Sequence, residues 1–308
     1  MPPVAAVSPP ARGPAETVAE VRRLELRSRR LVRDLLAGEY ASVFKGRGVE
    51  FVDVREYQYG DDLRSIDWRV TARLDAAYVR RYAEERELTV LFIVDASAST
   101  AFGTAVRAKV TLATDVCALL VLTAAQTNDR VGLIVCTDRV ERYVPPGKGR
   151  RHALQVLREL VTSAGARAGA GAGTDLAAAL DYANRVLHRR AVVFVLSDWM
   201  ATGYEVALGA TAHRHDTIAV QLVDPRERAL PDVGLVTLRD PETGAWRTVD
   251  TARADVRAEF ARRGAAFDAA LVRGVRRVGV DLVRLETGRS AVPPLLAFFR
   301  RRERRMQH

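Results

Sequence analysis

Five oxygen-bearing side chains could do chemistry together. Asp95, Ser97 and Ser99 stand at alternate positions of Asp-Ala-Ser-Ala-Ser, Thr174 follows a glycine- and alanine-rich stretch at 165–173, and Asp198 closes the apolar run AVVFVLSD. Carboxylates and hydroxyls are hard donors, and two carboxylates with neutral hydroxyls suit Mg2+, with Mn2+ as a substitute, in an octahedral shell that keeps several waters. The plain alternative is that the serines and the threonine only cap helices. Catalysis has less support. Neither serine has a histidine in a strand-end loop to activate it, and Asp95-Ala-Ser97 lacks the second aspartate of an aspartate-nucleophile phosphatase. Pro146-Gly147-Lys148-Gly149 has neither the leading glycine nor the final Ser/Thr of a phosphate loop. His152, His188, His213, His215 and His308 have no Cys or Asp at ligand spacing and read as ordinary surface or helix-end residues.

The elements that must hold these residues follow from hydrophobic period. Residues 88–95, 131–138, 191–198 and 217–224 are near-continuous apolar runs of strand length, the pattern of strands buried on both faces. Amphipathic or apolar helical patterns separate them, at 106–126, 150–161, 176–187 and 204–212; a polar hairpin around 241–244, a helix at 252–273, a strand at 278–285 and a helix at 292–302 follow. Residues 140–144 read as an edge partner for the second strand. Strands alternating with helices require a mostly parallel sheet with helices on both faces, and ligands bind such sheets beyond the carboxyl ends of the strands. Asp95, Asp198 and Asp224 all fall at such ends.

On these residues the sequence resembles the von Willebrand factor A fold, whose metal-ion-dependent adhesion site is written DxSxS, then a distant Thr, then a distant Asp. The resemblance implies that Ser97, Ser99 and Thr174 touch the metal, that Asp95 and Asp198 act largely through water, and that one position stays open for a partner's Asp or Glu. Trp199 stands where that family often has glycine, and is expected to shield or shape the open position. The segment before the first strand is similar to the hallmark of the DUF58 family: Arg55-Glu56-Tyr57, Gly60-Asp61-Asp62, Arg64, Ile66-Asp67-Trp68 and Ala72-Arg73. What this implies is a Rossmann-like, von Willebrand A-type α/β domain preceded by a helix and a polar, β-containing block, with non-enzymatic protein binding as its function. It further implies an adaptor or co-chaperone role beside a MoxR-type AAA+ ATPase. By themselves, the block's residues allow two readings, a polar network that locks the block onto the main domain, with Trp68 buried against the sheet, or a partner-docking surface. A metal-dependent phosphatase or hydrolase using the same oxygens is the competing class.

Four regions are expected: a Pro/Ala linker at 1–15, a helix and the signature block at 16–87, the main domain at 88–299, and a basic tail at 300–308. The first helix is expected over 17–37 with Gly38 as its stop, followed by short strands at 49–54 and 77–83. Lys+Arg minus Asp+Glu is 48 − 38 = +10, and residues 300–305 carry a net four of those charges. Such a run usually makes a solvated tail, with membrane or nucleic acid as an occasional partner; no aromatic interleaving or nucleic-acid motif accompanies it here. No stretch reaches the roughly 18 to 20 uncharged apolar residues of a membrane span, residues 116–125 read as a core helix, and the proline-broken start does not resemble a signal peptide. Cys117 and Cys136 lie in apolar runs with no ligand spacing, so free thiols and a cytoplasmic setting are expected. No small-molecule substrate is suggested.

Overall fold

The computed structural model describes residues 13–32, 36–44, 51–62, 66–73, 76–82, 87–97, 109–166, 173–239 and 245–306. Two helices come first, α1 (Pro14–Leu31) and α2 (Ala37–Phe44). The signature block follows as an antiparallel hairpin, β1 (Phe51–Glu56) with β2 (Tyr78–Tyr82), and a single-turn helix between them, α3 (Trp68–Thr71). The main sheet is built from β3 (Thr89–Asp95), β4 (Arg130–Cys136), β5 (Val140–Gly147), β6 (Val192–Ser197), β7 (Asp216–Val223) and a later β10 (Asp281–Glu286). Between these strands run α4 (Lys109–Gln126), α5 (Gly149–Ala166), α6 (Leu176–Val186), α7 (Glu205–Arg214), an outlying hairpin β8 (Leu235–Arg239) and β9 (Trp246–Asp250), and α8 (Ala254–Arg277). Helix α9 (Val292–Met306) closes the described chain.

Strand order is β10-β7-β6-β3-β4-β5, parallel throughout except for the antiparallel edge strand β5. The chain runs outward from β3 through β4 and β5, then returns to lay β6 on the other side of β3. The crevice between β3 and β6 is therefore the topological switch point, where such sheets bind ligands. Alternation along β3 shows why its sequence is apolar at every position. Val90, Phe92 and Val94 enter one core with α1, α2, α4, α5 and α9, while Leu91 and Ile93 enter a second core with α6, α7 and α8. Phe92 and Phe194 stack between neighbouring strands at 5.5 Å, nearly parallel.

Several expectations are corrected. Gly38 does not stop the first helix: α1 ends at Leu31, and Gly38 lies inside α2 without the left-handed backbone that makes a glycine a helix stop. Helices α1 and α2 share the first core through Val21, Leu24, Tyr40 and Val43, so the unit expected over 16–87 divides, its helices joining the main sheet. Within the signature block, Ile66 and Val79 are buried but Trp68 is 68% exposed. A buried Trp68 is ruled out. These polar contacts lie inside the block: Arg55 grips Asp61 with both terminal guanidinium nitrogens at 2.7 and 2.6 Å, and Asp67 caps α3 through the amides of Arg69 and Val70. The run at 300–305 is no loose tail. It lies in α9, where Arg300 pairs with Glu39, Arg302 with Asp216 and Asp281, and Arg305 with Asp281. Helix α4 is, by length and composition, apolar enough to cross a membrane, the one such helix among the described residues, yet 67% of it is buried inside the protein. Of the linker expected at 1–15, residues 1–12 lie outside the described residues and Pro14 and Ala15 belong to α1; the hairpin tip at 241–244, Arg64 and His308 also lie outside the described residues.

Candidate metal centre

Asp95 is the last residue of β3 and is completely buried. One carboxylate oxygen accepts the Ser97 amide at 2.9 Å and the other accepts the Ser197 hydroxyl at 2.7 Å. Ser197, the last residue of the adjacent β6, also accepts the Trp199 amide at 2.9 Å, so a single hydroxyl joins the two strand ends. Asp198 follows and is 2% exposed. Its Oδ1 accepts the Met200 amide at 3.1 Å and its Oδ2 accepts the ammonium of Lys109 at 2.8 Å. That ammonium also donates to Glu227 at 2.5 Å, and Glu227 turns back to accept the Asp224 amide at the end of β7. Three neighbouring strand ends are thereby tied into one polar layer.

Thr174 sits just before α6, whose N-cap Asp175 accepts the Ala178 amide and donates its own amide to the Thr137 carbonyl beyond β4. The Thr174 hydroxyl is buried and has no hydrogen-bond partner among the described residues. A buried hydroxyl left without a partner is costly. Ser99 and most of the 165–173 stretch lie outside the described residues. Of the sequence-derived set, then, the structure joins Asp95 and Ser97 to Asp198 through Ser197, and leaves Thr174 as a buried hydroxyl with no partner among the described residues, before α6.

Charge is tightly packed here. Burial, then the neighbouring Asp198 charge, pushes the Asp95 carboxyl up to about 6, against the pull of the Ser97 and Ser197 hydrogen bonds. Burial works against the Lys109 ammonium, but Asp198 and Glu227 outweigh it and hold its pKa above the ordinary lysine value. Three carboxylates, Asp95, Asp198 and Glu227, share this layer with the one Lys109 ammonium. Hard oxygen donors, more carboxylates than ammonium groups, and a Thr174 hydroxyl without a partner among the described residues fit a divalent cation. Ser97, Thr174, Asp95 and Asp198 would hold it, with Ser99 as the remaining member of the set.

Trp199 does not cover the site as expected. Its indole is 1% exposed in the second core, edge-on to Tyr204 at 5.2 Å, with Nε1 donating to the Val220 carbonyl. Its φ of 63° lies in the left-handed region, which explains why glycine suits this position elsewhere. Sequence reading missed Ser197, Glu227 and above all Lys109. Ser197 stands near the end of the apolar run AVVFVLSD, and Glu227 in the charged stretch Asp-Pro-Arg-Glu-Arg at 224–228. Lys109 had one usable signal, a lysine opening the mostly apolar segment KVTLATDVCALLVL, because a buried lysine requires a carboxylate partner.

Residues 53–270 match the family described as "Protein of unknown function DUF58". Among curated proteins, the chain is 36% identical over 289 residues to uncharacterized protein Rv1480 of Mycobacterium tuberculosis, covering 93% of this chain and 90% of that one. Uncharacterized protein Mb1516 of Mycobacterium bovis matches with the same identity and coverage. Among solved structures, BatB from Bacteroides thetaiotaomicron aligns at 19% identity and a TM-score of 0.46, over 70% of this chain and 99% of that one. The von Willebrand A domain of SpRpn10 aligns at 10% identity and 0.39, over 69% and 94%.

Proposed function

The chain belongs to the DUF58 family, and from that membership we propose that it is a non-enzymatic protein-interaction module, docking its partner at the carboxyl edge of β3 and β6. The observation that carries this reading is the buried oxygen cluster of Asp95, Ser97, Ser197 and Asp198 at the switch point, beside which the Thr174 hydroxyl, buried and without a partner among the described residues, is proposed to complete the set. Mg2+ is the proposed cofactor. When bound, it would supply an electrophilic position that an anionic oxygen satisfies best, so the partner is expected to present Asp or Glu. Neutral Ser97 and Thr174 hydroxyls leave a metal more electrophilic than further carboxylates would, while the hydrogen bonds to Asp95 and Asp198 hold those carboxylates in fixed orientation.

A MoxR-type AAA+ ATPase is the partner class that the family resemblance suggests, with this protein as its adaptor in the cytoplasm. The test starts with capture by the full chain in Mg2+ or in EDTA, read by mass spectrometry. Affinity for the captured partner is then measured for wild type and Thr174→Ala under both conditions. Tight binding only for wild type in Mg2+ supports the reading; equal affinity in all four conditions sinks it. Phosphate release from a generic phosphomonoester in Mg2+, expected to stay at background, checks the non-enzymatic part.

A further inference from the structure

The proposed metal centre already contains a cation. Lys109 is completely buried, and its ammonium lies between Asp198 and Glu227 at 2.8 and 2.5 Å. The side chain is anchored from below, because Leu112, Ala113, Val116 and Cys117 on the following turns of α4 are all buried in the first core. An ammonium on such a tether has a high local concentration at the carboxylates. It also meets both partners at once, whereas an exposed lysine pair such as Lys148 with Glu87 is loosely held.

We propose that Lys109 is a resident cation of this centre, holding Asp198 and Glu227 in place without a divalent ion and competing with any metal for Asp198. The proposal deepens the Mg2+ reading by adding a regulator to the same site. An ammonium and a metal ion both seek the carboxylate lone pairs, but the ammonium brings one charge and no vacant coordination position. While it holds Asp198, the cluster is partly neutralised and any metal binds more weakly than its oxygen set alone would allow. Removing the ammonium leaves three carboxylates crowded together, and the centre then depends on a divalent ion for its order.

The experiment compares Mn2+ affinity, read by electron paramagnetic resonance, for wild type and Lys109→Met, which keeps the length of the side chain and removes its charge. Mn2+ is expected to bind Lys109→Met about tenfold or more tightly than wild type. If wild type binds and the variant binds equally or more weakly, the resident-cation proposal is overturned while the metal reading stands. If only the variant binds, the proposal stands and the Mg2+ reading of the natural protein falls. If neither binds at millimolar Mn2+, both fall. Should Lys109→Met fail to fold in EDTA, its recovery on adding Mn2+ or Mg2+ supports the proposal. If it folds in neither, 15N-lysine labelling of wild type decides, since the chain has three lysines and a buried ammonium gives its own signal. Loss or displacement of that signal by Mn2+ supports competition, and a signal unmoved overturns it.

Discussion

The two ends of the main sheet both collect charge, and they manage it in opposite ways. At the carboxyl end, Asp198 and Glu227 converge on one buried ammonium, with the buried Asp95 beside Asp198. At the amino end the acids have arginine, amide and hydroxyl partners. Asp216 and Asp281, opening β7 and β10, are bridged by Arg302, and Asp281 has Arg305 in addition. Asp129, just before β4, is held by the Leu88 amide and the Thr127 hydroxyl. Arginine forks at a half-open edge make a redundant brace, whereas a lone buried lysine makes an all-or-none joint. On the proposal made above, the end that stakes its order on one cation is the end that would respond to another.

The largest effect that would separate the two ends is expected for Asp198→Ala. It leaves the Lys109 ammonium buried with one carboxylate, and breaking such a pair costs about 3–5 kcal/mol, to be read from urea unfolding in EDTA. A loss near zero would show that the carboxyl end is braced as loosely as the amino end.

Next in size is a pH effect at the amino end. His215, just before β7, is 3% exposed with neither ring nitrogen hydrogen-bonded among the described residues, and burial, then the charges of Arg214 and Arg190, lower its pKa. The unfolded chain takes up a proton as pH drops through about 6.5, while the native ring resists, so stability falls on acidification. One such group gives a slope of at most about 1.4 kcal/mol per pH unit, and His215→Phe is expected to flatten the unfolding profile below pH 6.5. An unchanged profile would remove His215 from the account.

The smallest effect is expected for Arg302→Gln. Arg305 still serves Asp281, so the loss is about 1 kcal/mol or less. A cost matching that of Asp198→Ala in the same urea series would erase the contrast.

Much of the fold was legible because its signals are local. Runs such as LTVLFIVD and AVVFVLSD need only be buried on both faces to become parallel strands, and their ends fall within a residue or two of the expected ones. Asp95, Ser97 and Asp198 were legible as oxygens at strand ends. What stayed hidden depends on distant partners. Lys109 meets Glu227 across 118 residues, and Arg302 meets Asp216 across 86; no window of sequence contains both members. Trp68 taught the converse. The most recognisable segment of the chain places its tryptophan in solvent, since recognisability reports a fixed pattern and says nothing about which side of it faces water.

Helix α2 is covered by α9: Tyr40 and Phe44 pack on Phe299, Ser42 donates to Glu303, and Glu39 pairs with Arg300. A ribosome makes α2 long before it makes α9. Throughout translation of the sheet, the nascent chain therefore carries an aromatic helix without its cover, a surface open to holdase chaperones and to wrong partners. Closure of this clasp is a late checkpoint in the biogenesis of the protein, and a chain stalled before residue 292 emerges would leave the ribosome with that surface still bare.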